Sequence, residues 1–114
     1  MIAVIFEVEP HPEHRGEYLA IAAALAEDLR EVDGFVSIER FQSLTDETKL
    51  LSLSFWRDEA AVAAWRNVER HRAAQKRGRE GVFRDYRLRI AGVVRDYGLN
   101  ERAEAPADSR AVNG

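Results

Sequence analysis

The chain has 114 residues, a formal charge of −3, 46% hydrophobic and 32% charged residues, and no Cys. That length fits one domain with a modest core. The net charge excludes the broad basic footprint of a general nucleic-acid binder, and the missing Cys excludes disulfides, thiol nucleophiles and thiolate metal sites. In chain order, "MIAVIFEVEP" carries neither a basic n-region nor a cleavage-site pattern, so it reads as a first strand rather than a signal peptide. Ile2 to Val8 is almost continuously apolar and β-branched, as suits a strand buried on both faces. "EPHPEHRG" breaks it with two Pro. From Glu13 to Val32 the pattern is helical: Tyr18, Ile21, Ala22, Leu25, Leu29 and Val32 recur at three- and four-residue steps and share a face.

Asp33-Gly34 stops that helix. "FVSIERFQSL" (Phe35 to Leu44) and "LLSLSFW" (Leu50 to Trp56) read as two strands of a hairpin around "TDETK". On the second, Leu51, Leu53 and Phe55 share one face, and Ser52, Ser54 and Trp56 the other. Asp58 has the character of an N-cap, and a helix follows through Trp65. A second short helix is expected from Glu69 to Arg77, and a final strand from Tyr86 to Tyr97. The order is β-α-β-β-α-β, an α+β fold of the ferredoxin-like kind with an antiparallel sheet and helices on one face.

The first strand is apolar on both sides, so the sheet face away from the helices requires a cover. An identical sheet in a two-fold dimer is the simplest one. The expected organisation is a domain over residues 1–99 and a polar C-terminal tail over 100–114, flexible on its own. No apolar run approaches membrane-spanning length, and the expected location is the cytoplasm.

The element order, "GFVSIERFQSLTDETKLLSLSFWRDEAAVAAWRN" and "HRAAQKRGRE…FRDYRLRIAGVVRDY" together resemble the antibiotic biosynthesis monooxygenase (ABM) family over about Met1 to Tyr97. The resemblance implies a dimeric α/β barrel with a pocket between the helices and sheet of each subunit. The family includes cofactor-independent oxygenases of polycyclic aromatics and IsdG-like heme-degrading enzymes. The "FWRDE…AWRN…HR" framework is most similar to the HmuQ/HmuD-type heme-degrading members. Those of IsdG type use an Asn on the first strand, a Trp on the second major helix and a His on the iron. Trp65 matches the Trp. The first strand offers Phe6 and Glu7 but no Asn, and Gln75 stands where the family His is expected. His71 comes earlier, so either it ligates iron from a shifted segment or the heme reading fails.

Each candidate has two readings. His71 is a heme-iron ligand or a solvated helix start. Trp65 is a flat wall against a planar substrate or a core residue. Arg66, Arg70, Arg72, Lys76, Arg77 and Arg79 form a basic cluster that is either a solvated face or an anion clamp. Arg72 and Arg79 would hold the heme propionates. Asn67 is a polar group near an oxygen intermediate, as in the family's polyketide oxygenases, or a helix cap. His11 and His14 read as a surface loop. No nucleophilic triad or phosphate-binding glycine loop is present.

Three functions compete. The leading one is oxidative heme degradation, with heme as substrate and cofactor together and an electron-donating reductase as partner. The second is cofactor-independent oxygenation of an aromatic small molecule shaped by Trp65 and Asn67. The third is a non-catalytic binding or stress protein on the same fold. None requires nucleic acid or a membrane.

Overall fold

The computed structural model describes residues 1–70, 76 and 81–114, the side chains of Glu69 and Arg70 excepted. The elements are β1 (Ile2–Pro10), a single 3-10 turn (Pro12–His14), α1 (Arg15–Leu29), β2 (Phe35–Gln42), β3 (Leu50–Trp56), α2 (Glu59–Arg70), β4 (Phe83–Gly92) and α3 (Ala107–Asn113). The strands form one antiparallel sheet in the order β2-β3-β1-β4. This is the ferredoxin-like α+β arrangement expected.

Local chemistry accounts for most element boundaries. α1 is rich in Ala and Leu, which lose little side-chain entropy in a helix. Its buried stripe is Tyr18, Ala22 and Leu29, spaced by four and seven residues. Asp58 caps α2: its carboxylate accepts the Ala61 backbone N–H at 2.9 Å. In the β2–β3 turn the Asp46 carboxylate accepts the Thr48 N–H at 2.9 Å and its hydroxyl at 2.6 Å, which holds the chain reversed. Gly34 has φ +90°, and a Cβ there would meet the Ala61 Cβ at 2.6 Å, so only Gly lets β2 start this close to α2.

The pairing registers place Ile2, Val4, Phe6 and Val8 of β1 on the helix side with Leu50, Ser52, Ser54 and Trp56 of β3. Ala3, Ile5, Leu51, Leu53 and Phe55 occupy the opposite, uncovered face. β2 carries an irregularity between Phe35 and Ser37. The extra residue returns Phe35 to the helix side alongside Ile38 and Arg40, whereas plain alternation would place it opposite. Two buried clusters result. One joins Val8, Tyr18, Ala22, Leu50 and Val82; the other joins Leu29, Trp56, Ala61 and Val62.

Three elements depart from expectation. β4 runs Phe83–Gly92 rather than Tyr86 to Tyr97, because β1 is its only partner strand. Ile2 pairs with Gly92, and the last rung is the Val93 N–H donating to the Met1 carbonyl at 3.0 Å; beyond it the ladder has no partner. α2 continues past Trp65 to Arg70, so Glu69 and Arg70 belong to it; most of the second short helix expected there falls outside the described residues. The C-terminal segment, expected to be irregular, contains α3 and folds around Arg102. That guanidinium donates to the carbonyls of Gly98 (3.2 Å) and Gly114 (2.8 Å) and to the Ser109 hydroxyl (2.9 Å), and it stacks over Tyr97.

Candidate active site

α1 and α2 do not seal against the sheet. Between them and the strands lies a cavity of about 400 Å³, in the size range of small-molecule sites. Its floor is Val4, Phe6, Ser52, Ser54, Ile38 and Arg40; Tyr18, Ile21 and Leu25 of α1 form one wall, and Val62, Trp65 and Arg66 of α2 another. Tyr86, Leu88 and Ile90 of β4 line the remaining side, which is open to solvent: they are 45%, 52% and 44% exposed.

The lining has two aromatic ends. At one, Phe83 stands edge-on to Phe6 (5.9 Å between centroids), Tyr18 (5.7 Å) and Tyr86 (6.0 Å). At the other, Trp56 packs edge-on to Phe35 at 5.3 Å, and its indole N–H donates to the Ser54 hydroxyl at 2.9 Å. Trp65 packs partly buried against that second cluster.

Polar groups in the cavity are few. Tyr18 is buried, which pushes its phenol above the ordinary tyrosine value, while the adjacent Arg40 guanidinium pulls the other way. Arg40 donates to the Ala22 carbonyl at 3.5 Å, a long contact, and its Nε is buried without a partner. Among the described residues no Asp, Glu or His lines the cavity. Such a site can hold a flat, apolar molecule; it has no ordinary general base among the described residues.

The sequence-derived candidates are distributed unevenly. Trp65 and Arg66 line the cavity. Asn67 is exposed and is not part of the lining, since two residues along a helix turn it roughly 200° from Trp65. His71, Arg72, Gln75 and Arg79 lie outside the described residues. His11 and His14 have ring centroids 6.5 Å apart, and His14 faces Glu17 at 3.2 Å. Among the described residues no group of three or more metal-donor side chains occurs, nor does any helix long and apolar enough to cross a membrane. Sequence reasoning missed Arg40, Tyr86 and Phe83 as site residues. One sign of Arg40 was available: it shares a strand phase with Ile38, so a cation stands in an apolar row.

Four likenesses bear on this chain. The sequence profile described as antibiotic biosynthesis monooxygenase matches residues 1–77. A protein of Pyricularia oryzae named jasmonate monooxygenase ABM is 45% identical over 101 residues, 89% of this chain and 47% of that protein. The chain thus spans about half the length of this curated relative. Among solved structures, one from Mycobacterium tuberculosis superposes with a TM-score of 0.75 at 20% identity, covering 85% of this chain and 98% of that one. A cofactor-independent oxygenase from Streptomyces nogalater superposes with a TM-score of 0.72 at 12% identity, covering 83% and 94%. At such identities these two speak for the fold alone.

Proposed function

The chain belongs to the antibiotic biosynthesis monooxygenase family, and from that premise we propose that it oxygenates a small, largely apolar organic molecule held in the cavity, without a resident cofactor. The observation that carries this reading is the cavity of about 400 Å³ walled by aromatic rings. Two likenesses support it: the Pyricularia oryzae relative is named a jasmonate monooxygenase, and the Streptomyces nogalater protein is a cofactor-independent oxygenase on this fold.

In that reaction the substrate supplies the electrons. An activated methylene loses a proton to solvent, the carbanion reduces dioxygen, a C–O bond forms as a peroxide that takes a proton back to become the hydroperoxide, and loss of water leaves a carbonyl. The balance is CH₂ plus O₂ to C=O plus H₂O, so no reductase is needed. The chain holds the substrate flat against Trp65 and the Phe6–Phe83–Tyr86 end. Asn67, facing solvent, is assigned no step.

Heme fits less well. Its ligand and propionate residues, His71, Arg72, Gln75 and Arg79, lie outside the described residues, and no His lines the cavity among the described ones. No step is derived through it.

We further propose a homodimer closing the uncovered sheet face, a body of residues 1–99 with residues 100–114 appended, and a cytoplasmic location. The dimer rests on β3: the buried phase is Leu50, Ser52, Ser54 and Trp56, while Leu51, Leu53 and Phe55 are left half-exposed. A lone chain would bury its leucines before its serines.

The test is dioxygen uptake with 9-anthrone as probe, in EDTA, with no reductant, above the autoxidation background. The expected result is one dioxygen consumed per anthraquinone formed, falling about tenfold or more in Trp65→Ala. Uptake no greater than background sinks the reading. Hemin titration is the counter-test: a Soret shift followed by bleaching with ascorbate in air would reinstate heme.

A further inference from the structure

We propose that Arg40 is an anion anchor, and that the cavity takes amphipathic carboxylates: molecules with an apolar body and a single carboxylate at the Arg40 end. This inference rests on the cavity being a ligand site, and it adds the chemical class of the ligand.

The position is unusual for a cation. Arg40 sits on β2 opposite Ser52 of β3, on the helix side of the sheet, with Ile38 two residues before it and Tyr18 of α1 above. Its five N–H donors have few acceptors. The Ala22 carbonyl lies at 3.5 Å, Tyr18 is a neighbour through its phenol, and the Nε is enclosed with no partner. Among the described residues no carboxylate lies within ion-pair distance of it, although the surface guanidiniums of Arg57, Arg84 and Arg89 each have one. A guanidinium cannot shed its proton to escape this cost. A partly buried guanidinium with no carboxylate beside it among the described residues, and with its Nε enclosed, is suited to completion by an anion from outside the chain.

The completing group must be an anion of the right shape. A guanidinium fork matches a planar carboxylate in two parallel hydrogen bonds, and the low-dielectric walls strengthen the attraction. The rest of the described lining is mostly apolar, from Val4 and Phe6 to Leu88 and Ile90, with the neutral hydroxyls of Ser52, Ser54, Tyr18 and Tyr86 among it. Among the described residues Arg66 is the other cation of the lining, but it is exposed, so water screens it. Selectivity for the anion therefore belongs to Arg40.

The test is isothermal titration of octanoate, decanoate and 1-naphthaleneacetate, each against its methyl ester. The wild-type chain is expected to bind at least one acid about tenfold or more tighter than its ester. Arg40→Met is expected to remove that preference by weakening the acid alone, and to melt no lower than wild type, because it removes a partly buried charge that has no carboxylate partner among the described residues. Arg40→Lys keeps part of the preference, and Arg66→Met most of it. Equal binding of acid and ester, or a preference that survives Arg40→Met, overturns the anchor. If Arg40→Met does not fold, Arg40→Gln carries the same comparison. Binding of none of the six probes overturns both the anchor and the cavity as a ligand site. Arg40-dependent acid binding without dioxygen uptake leaves the anchor standing and sinks only the oxygenase reading.

Discussion

The two faces of the sheet are handled in opposite ways: the helix side is largely apolar across the strands, whereas the far side sets an apolar patch of Ala3, Ile5, Leu51, Leu53 and Phe55 beside the charged Glu7, Glu39, Arg87 and Arg89. On the helix side, Val8 and Trp56 are almost wholly enclosed, and even Ser52 and Ser54 are buried. On the far side, Leu51, Leu53 and Phe55 remain half-exposed and Phe41 is 42% exposed. The covered face spends part of its enclosed volume on a hollow, and the uncovered face lacks a cover. In both places the chain forgoes burial that its residues could have made. That pattern reads as binding, of a small molecule on one side and of a second copy on the other.

The sharpest way to break this comparison is to charge the open face. Leu53→Arg, at its centre, is expected to weaken the dimer by about 100-fold or more, since an unpaired charge buried in an interface costs about 3–5 kcal/mol. Light scattering across a dilution series reads it. A wild-type chain that already runs as a monomer would sink the dimer, and the substitution would then be almost silent.

On the covered face, Trp56→Ala is expected to cost about 3–5 kcal/mol in urea unfolding, because Trp56 is 1% exposed and packed on several sides. Trp65→Ala, facing the hollow, should cost only about 1–2 kcal/mol. Equal losses would mean that Trp65 is core rather than cavity wall.

Acid should act mainly outside the helix-side core. Arg89 holds Glu7 below its ordinary value, Arg57 does so for Asp33, the Thr48 hydroxyl and N–H for Asp46, and the Ala61 N–H for Asp58. Each group is easier to protonate in the unfolded chain than in the folded one. Its stabilisation is therefore whole above the unfolded values and is lost as pH falls through the folded ones. Melting temperature should stay level from pH 7 to about 5 and fall below about 4. Glu7→Gln, which removes the Arg89 partner on the open face, should flatten part of that fall. The smallest effect expected is from Asp58→Ala, a drop of a few degrees in melting temperature through loss of the α2 cap.

Much of the fold could be read from the residues. β3 was bounded at Leu50 and Trp56, and the α1 stripe from Tyr18 to Leu29 turned out to line the cavity. These succeed because period-2 and period-3.6 patterns are local. β4 was displaced because its limits depend on how far β1 can pair with it. At the site, Trp65 was legible as an indole on an amphipathic helix. Arg40 was missed although it shares a strand phase with Ile38, because alternation does not say which phase of β2 faces the helices.

By itself the sequence determined which side chains travel together: Leu51 with Leu53 and Phe55, Ser52 with Ser54 and Trp56, Tyr18 with Ala22 and Leu29. Which of those groups is covered was decided only by tertiary structure. Alternation divides a strand into two faces but assigns neither to the helices. The choice depends on where α1 and α2 land, and so does the unfilled volume between them, with a guanidinium enclosed at its edge.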